Sequence, residues 1–249
     1  LTTKLISLKQ IEFFTSLSEI LPLVFCIIFH KKLNTNGLKV FFIYTLFKAV
    51  FILACISSIY LIKSKSLYII ILRFHLMFEY LIVSFFLSLL IRSKVVRYLI
   101  LFSSIPFLIY CGLDFYWTDN ETFHNKPTLV ELLFFIIVII YFLFEKMRFS
   151  FQIPVYQTIN FWVAVGLFVY FSGIFFYILL SESYFSKNIR FRDELLLIYT
   201  SVTILKNLIL AFAVTVKEPK AESEDYEFNI PLEINLDSFE SYTPTNNLN

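Results

Sequence analysis

Apolar residues in this chain come in long, nearly unbroken stretches instead of the alternating stripes of a water-soluble helix. Seven such runs stand out, at about 9–30, 38–62, 67–91, 98–113, 128–145, 160–181 and 195–216. A hydrocarbon core of ~30 Å takes about 20 helical residues, so each run predicts one membrane-spanning helix, the fourth being the shortest. The connections are short, which makes successive helices antiparallel neighbours. The expected fold is all-α: a seven-helix transmembrane bundle over residues 1–216, followed by a tail at 217–249. No internal repeat is present, which argues against the inverted-repeat transporters. The first run reaches His30 without a small-residue cleavage site and reads as a span, not as a signal peptide.

Polar residues at the edges of the runs suggest where helices start and bend. Ser7-Leu8-Lys9-Gln10 fits a capping box before the first span, and Thr128-Leu129-Val130-Glu131, just after Pro127, fits one at the start of the fifth. On that reading Glu131 is a cap and not a ligand contact. Asn160 is a candidate N-cap for the sixth. Pro22 and Pro106 lie inside the first and fourth runs and should free the carbonyls of Ser18 and Phe102. Gly166 and Gly173, seven apart on one face of the sixth, predict close helix packing.

Composition sharpens the membrane reading. The 249 residues are 58% hydrophobic and 16% charged, where soluble domains run near a quarter charged. The net charge of +2 is unevenly spread: residues 217–249 hold eight acidic residues against Lys217 and Lys220, a net of −6. The remaining +8 suits a body lying against anionic lipid. The tail is also broken by Pro219, Pro231 and Pro244 and is expected to be largely disordered. Within it, YEFNIPLEINLDSFE alternates apolar and polar residues and could add as a strand to a partner's sheet. Basic residues near the predicted loops number ten against eight in favour of an N-terminus outside and a C-terminus inside. Tyr116, Trp117 and Trp162 are candidate interface anchors. Cys26, Cys55 and Cys111 all fall within apolar runs and read as small buried residues.

Against this background the ionisable residues inside the runs are conspicuous. Lys206 lies about eleven residues, or ~16 Å, into the seventh run, near the midplane. Glu19, Lys48 and Glu79 reach similar depth in the first, second and third. A lone charge there costs roughly 3 kcal/mol, so two carboxylates and two ammonium groups at one level are expected to turn inward and neutralise one another. Tyr199, Thr203 and Lys206 follow i, i+4, i+7 and share a face, with Asn207 beside the lysine; His75 and Glu79 are i, i+4. Arg73 lies about 120° from Glu79 around the third helix and is free to snorkel outward. The candidate ligand or charge network is therefore Glu19, Lys48, Arg73, His75, Glu79, Tyr199, Thr203, Lys206 and Asn207. A structural role, locking helix packing, is the competing reading of such pairs. His75 and Glu79 lack the second ligand pair a metal site needs, and no HExxH is present. There is likewise no GxSxG, no phosphate-binding glycine loop and no nucleophile paired with a base. No catalytic residue, metal or cofactor is assigned, and the chain reads as a non-enzyme with no nucleic-acid partner.

Two resemblances add to this reading. Lys206 midway along a seventh helix, with Arg73 and Glu79-Tyr80 in the third, resembles the retinal proteins, which implies Lys206 as a Schiff base and Glu79 as its counter-ion. The chain departs from that pattern in having no tryptophan in the third or seventh runs and in placing Asn207 beside the lysine. The sixth and seventh runs, NFWVAVGLFVYFSGIFFYILL and ILKNLILAFAV, are similar to a group of bacterial seven-helix membrane proteins that look like sensing modules accompanying histidine kinases. That resemblance spans most of residues 9–216. It implies a bacterial inner-membrane location, an N-out and C-in topology, a signalling role and a cytosolic partner such as a histidine kinase reached through residues 217–249. It transfers no functional residue. The leading expectation is a receptor-like or signalling-associated membrane protein. A small transporter or channel using the same charges is the alternative, followed by an anchor whose tail recruits a partner.

Overall fold

The computed structural model describes residues 8–32, 36–118, 125–149, 154–182 and 189–217. They form seven α-helices: α1 (Leu8–Ile28), α2 (Asn36–Ile56), α3 (Lys65–Leu90), α4 (Lys94–Trp117), α5 (Asn125–Phe149), α6 (Ile159–Glu182) and α7 (Ile189–Thr215). No strand occurs among the described residues. These residues belong to one compact unit, Leu1–Glu218; a second, Pro219–Asn249, lies outside them, as do Ser7 of the first capping box and the tail's alternating segment.

Six helices, α2 to α7, are long and apolar enough to cross a membrane. The fourth, expected to be shortest, runs for 24 residues straight through Pro106. The marginal helix is instead α1, whose described apolar stretch, Phe14–Ile28, is shorter. The bundle's outer surface is lined by large apolar side chains, among them Ile43, Leu53, Leu99, Phe102, Ile137 and Phe144, while Lys48, Glu79, Thr203 and Lys206 are buried inside. This inversion of the soluble pattern is what a lipid environment favours: exposed apolar groups lose nothing there, and buried charges find partners. The protein is a multi-pass, helical membrane protein.

Helices adjacent in sequence pack side by side, and α7 closes the ring against α1. The exception is α4, which packs mainly on α3 and barely touches α5, so that α3 itself reaches α5. Six helices thus enclose the interior and α4 rides outside. The tightest approach is between α6 and α7. A Cβ added at Gly166 would lie 2.9 Å from Leu210 Cδ2, and one at Gly173 would run into Val202. Only glycine lets the two backbones come this close.

The junction after α2 departs from a plain helix end. Ser57–Ile62 widens into a π-type turn, and Lys63 takes a left-handed conformation (φ 55°) whose N–H bonds back to the Ser58 carbonyl. Ser64 then caps α3 by accepting the Leu67 N–H at 3.2 Å.

Two helix starts differ from the sequence expectation. α5 begins at Asn125, not at Thr128, so Thr128 and Glu131 sit within the helix and form no capping box. Pro127 explains the shift: the first turn of a helix has no use for its N–H groups, so proline fits there and the start moves upstream. Asn160 lies one residue inside α6, which begins at Ile159, and is not its cap. Cys26, Cys55 and Cys111 are free thiols. Tyr116 and Trp117 are exposed at the end of α4, and the Trp162 indole N–H donates to the Tyr156 carbonyl at 2.7 Å.

Candidate functional site

The charged layer forms as two ion pairs on four helices. On α7, Thr203, Lys206 and Asn207 face the interior; the Thr203 hydroxyl is spent on the Tyr199 carbonyl one turn back, at 2.9 Å. Lys206, fully buried at 0% exposure, donates to both carboxylate oxygens of Glu19 on α1, at 2.8 and 2.9 Å. The neighbouring Asn207 donates to Ser18 Oγ at 2.9 Å, and the Ser18 hydroxyl in turn donates to the Thr15 carbonyl at 2.7 Å. Adjacent residues on α7 thus grip adjacent residues on α1, which fixes the depth of one helix against the other.

The second pair joins α2 to α3. Lys48 Nζ lies 2.8 Å from Glu79 Oε1, and the Tyr44 hydroxyl, one turn earlier on α2, donates to the same oxygen at 3.3 Å. His75 Nδ1 stands 3.4 Å from the other oxygen, Oε2. The imidazole is held by Phe47 and Phe51 of α2, with ring centroids 5.4 and 3.7 Å away. Glu79 is therefore the acceptor on which α2 and its own helix converge.

Tyr170 of α6 connects the two pairs. Its ring centroid lies 4.4 Å from Lys206 Nζ and 5.1 Å from Lys48 Nζ, so one aromatic face system serves both ammonium groups. Away from water such a contact contributes about 2 kcal/mol. Tyr170 passed as one more aromatic in an apolar run, and nothing in the sequence marks it apart from its neighbours. Tyr44 carried a usable signal, its i, i+4 spacing to Lys48.

Arg73 does not join this layer, nor does it reach outward to water. It is buried, its Nη2 donates to the Thr118 carbonyl at 3.4 Å, and its guanidinium lies 5.1 Å from the Phe115 ring at the end of α4. A guanidinium there satisfies a carbonyl left open by the helix end and favours the negative pole of the helix.

A cavity of about 410 Å³ opens above the charged layer, toward the end of the bundle where α1, α3, α5 and α7 begin. Glu19, Lys48, His75, Glu79 and Tyr170 form its floor; Tyr177, Tyr199, Phe51 and Phe171 line its sides; Thr15, Ser16 and Asn125, all partly exposed, lie nearest its mouth. Lys206 is not on the wall. On the other side of the layer the core is apolar and tight, with a void of about 10 Å³ among Phe41, Phe86 and Leu167. The cavity therefore ends at the charges.

Its wall also holds Glu131, one turn after Thr128 on α5. Glu131 is 2% exposed, and among the described residues neither its Oε1 nor the Thr128 hydroxyl has a hydrogen-bond partner. The residue that the sequence pattern assigned to a cap is a buried carboxylate facing a cavity. Among the described residues no three His, Cys, Asp or Glu side chains cluster to hold a metal ion. Compared with known proteins, the chain matches no family model, no curated protein and no solved structure.

Proposed function

We propose that this protein is a membrane receptor whose one-ended cavity takes a small molecule and relays its arrival through the ion-paired layer beneath. The observation that carries this reading is the cavity's floor. A volume of about 410 Å³ falls within the roughly 300–1,000 Å³ of small-molecule sites, and its bottom is made of the very groups that tie α1 to α7 and α2 to α3. A ligand contacting Glu19, Lys48 or Glu79 competes with those ties, and a ligand that binds one arrangement of the pairs better shifts the population toward it. α7 leads directly into residues 217–249, so its displacement is the natural output toward a cytosolic partner such as a histidine kinase. In this reading α1 crosses the bilayer with the other six helices, the cavity end faces outside and the chain sits in a bacterial inner membrane. No catalytic role is assigned.

A transporter would use the same charges as a substrate site. It needs a second opening, and the packed apolar core below the layer argues for a dead end. A retinal-type chromophore fits the residues poorly: Lys206 is paired with Glu19 and is not itself on the cavity wall, and Glu79 is paired with Lys48.

The test uses spin labels at the lipid-facing positions Leu46 on α2 and Leu208 on α7 of the full chain in nanodiscs. Lys206→Met and Glu79→Gln, each of which breaks one pair, are expected to shift the distance distribution between the labels. Distributions identical to the parent in both variants would remove the relay. Ligand-independent ion flux in proteoliposomes would instead favour the transporter.

A further inference from the structure

Resting on the pocket reading above, the unpaired acidic group in the cavity wall points to the chemical class of its occupant. We propose that the cavity takes a small organic cation, an ammonium group on an apolar body, with Glu131 as its ion-pair partner.

Three carboxylates face the cavity, Glu19, Glu79 and Glu131, and two ammonium groups stand in the layer, Lys48 and Lys206. Lys206 is spent on Glu19 and Lys48 on Glu79. Arg73 is turned to the end of α4, and Lys126 is exposed and off the wall. The His75 imidazole stands against Glu79. That leaves Glu131 with no cation among the described residues. A buried carboxylate without a partner is costly, and a native protein retains one where something else completes it.

The neighbours specify what completes it. An ionised carboxylate only accepts hydrogen bonds, so the missing group brings donors, and a positive charge balances the carboxylate. The Thr128 hydroxyl, three residues before Glu131 on the same face of α5, is also without a partner and can accept a second one. An ammonium group supplies three donors and fits beside an apolar body, and a guanidinium supplies a planar fork of five; an alcohol brings one donor and no charge, and a carboxylate the wrong sign. The tyrosine and phenylalanine rings of Tyr170, Tyr177 and Phe171 present aromatic faces to the same space, which favours a cation further and receives an apolar body. An anionic ligand would meet three carboxylates against one ammonium group, that of Lys48, which Glu79 already holds.

The purified full chain is titrated with benzylamine, benzyl alcohol and benzoate at neutral pH and constant ionic strength, and its thermal midpoint is followed. Benzylamine is expected to raise the midpoint while the alcohol and the acid do not. Glu131→Gln, which keeps the shape and removes the charge, is expected to need at least about tenfold more benzylamine for the same rise. If Glu131→Gln does not accumulate, Glu131→Asp replaces it: the charge is drawn back by one methylene, and a weaker response is expected. An unchanged benzylamine response in whichever variant folds overturns the role of Glu131. A rise with benzyl alcohol or benzoate equal to that with benzylamine overturns the cation while leaving the pocket. An equal rise with sodium chloride alone, run as a separate arm, makes the site one for an inorganic cation and overturns the amine. No rise with any probe overturns both the cation and the pocket.

Discussion

Helix α5 carries two buried carboxylates on nearly the same face, fourteen residues and about 21 Å apart, and they live in opposite circumstances. Glu145, 8% exposed, accepts the backbone N–H groups of Arg92 at 2.8 Å and Ser93 at 3.1 Å. Those amides lie at the break between α3 and α4, where Ser93 occupies the N-cap position without a side-chain cap of its own. Glu145 supplies that cap from a different helix, and its charge sits at the positive pole of α4. Arg97 reinforces the same break by donating to the Ile91 carbonyl at 2.9 Å. Glu131, at the cavity end, has no such partner for its Oε1 among the described residues. Two residues of one type, on one helix and both buried, therefore differ in whether the fold consumes their bonding capacity. A carboxylate fully used by backbone amides is architecture. One left over beside a cavity is available to a ligand.

The contrast can be broken or sharpened by substitution, with stability read from unfolding in mixed micelles. The largest effect is expected where a pair is cut in half: Lys206→Met alone should cost about 3–5 kcal/mol by stranding Glu19, and the double variant with Glu19→Gln should recover most of it. Additive losses in the double variant would mean that the two side chains do not interact. Glu145→Ala comes next, at about 1–2 kcal/mol, because two partly buried amides lose their acceptor. Should that variant unfold like the parent, Glu145 is not the cap of α4 and the comparison collapses from its structural side. Tyr170→Leu is expected to cost about 1–2 kcal/mol and Tyr170→Phe almost nothing, since the ring and not the hydroxyl faces the ammonium groups. The smallest effect belongs to Glu131→Gln, which should be neutral or slightly stabilising without ligand. A loss above about 1 kcal/mol there would show that Glu131 holds the fold together after all, and the two carboxylates of α5 would be alike.

How much of this was legible in the sequence follows from what is local. The apolar runs marked the seven helices because the demand of a membrane on residue type is continuous over some 20 positions. The depth of Glu19, Lys48, Glu79 and Lys206 could be counted because rise per residue is constant. Their partners could not. The resemblance to retinal proteins set Glu79 against Lys206, whereas the structure gives Lys206 to Glu19 and Glu79 to Lys48. Glu131 was misread because Thr-x-x-Glu after proline is the same string whether it opens a helix or lies one turn within it.

The chain's own pattern thus determined its solvent, its helices and the level at which its charges lie, since each is set by residue type and by distance along one axis. Which way each helix is turned about that axis, and so which carboxylate meets which ammonium and which is left over, was decided only in the folded bundle. Rotation of one helix is fixed by the packing of all its neighbours at once, by glycines that admit α7 against α6 and by the displacement of α4 that lets α3 reach α5. No stretch of sequence read alone contains that information.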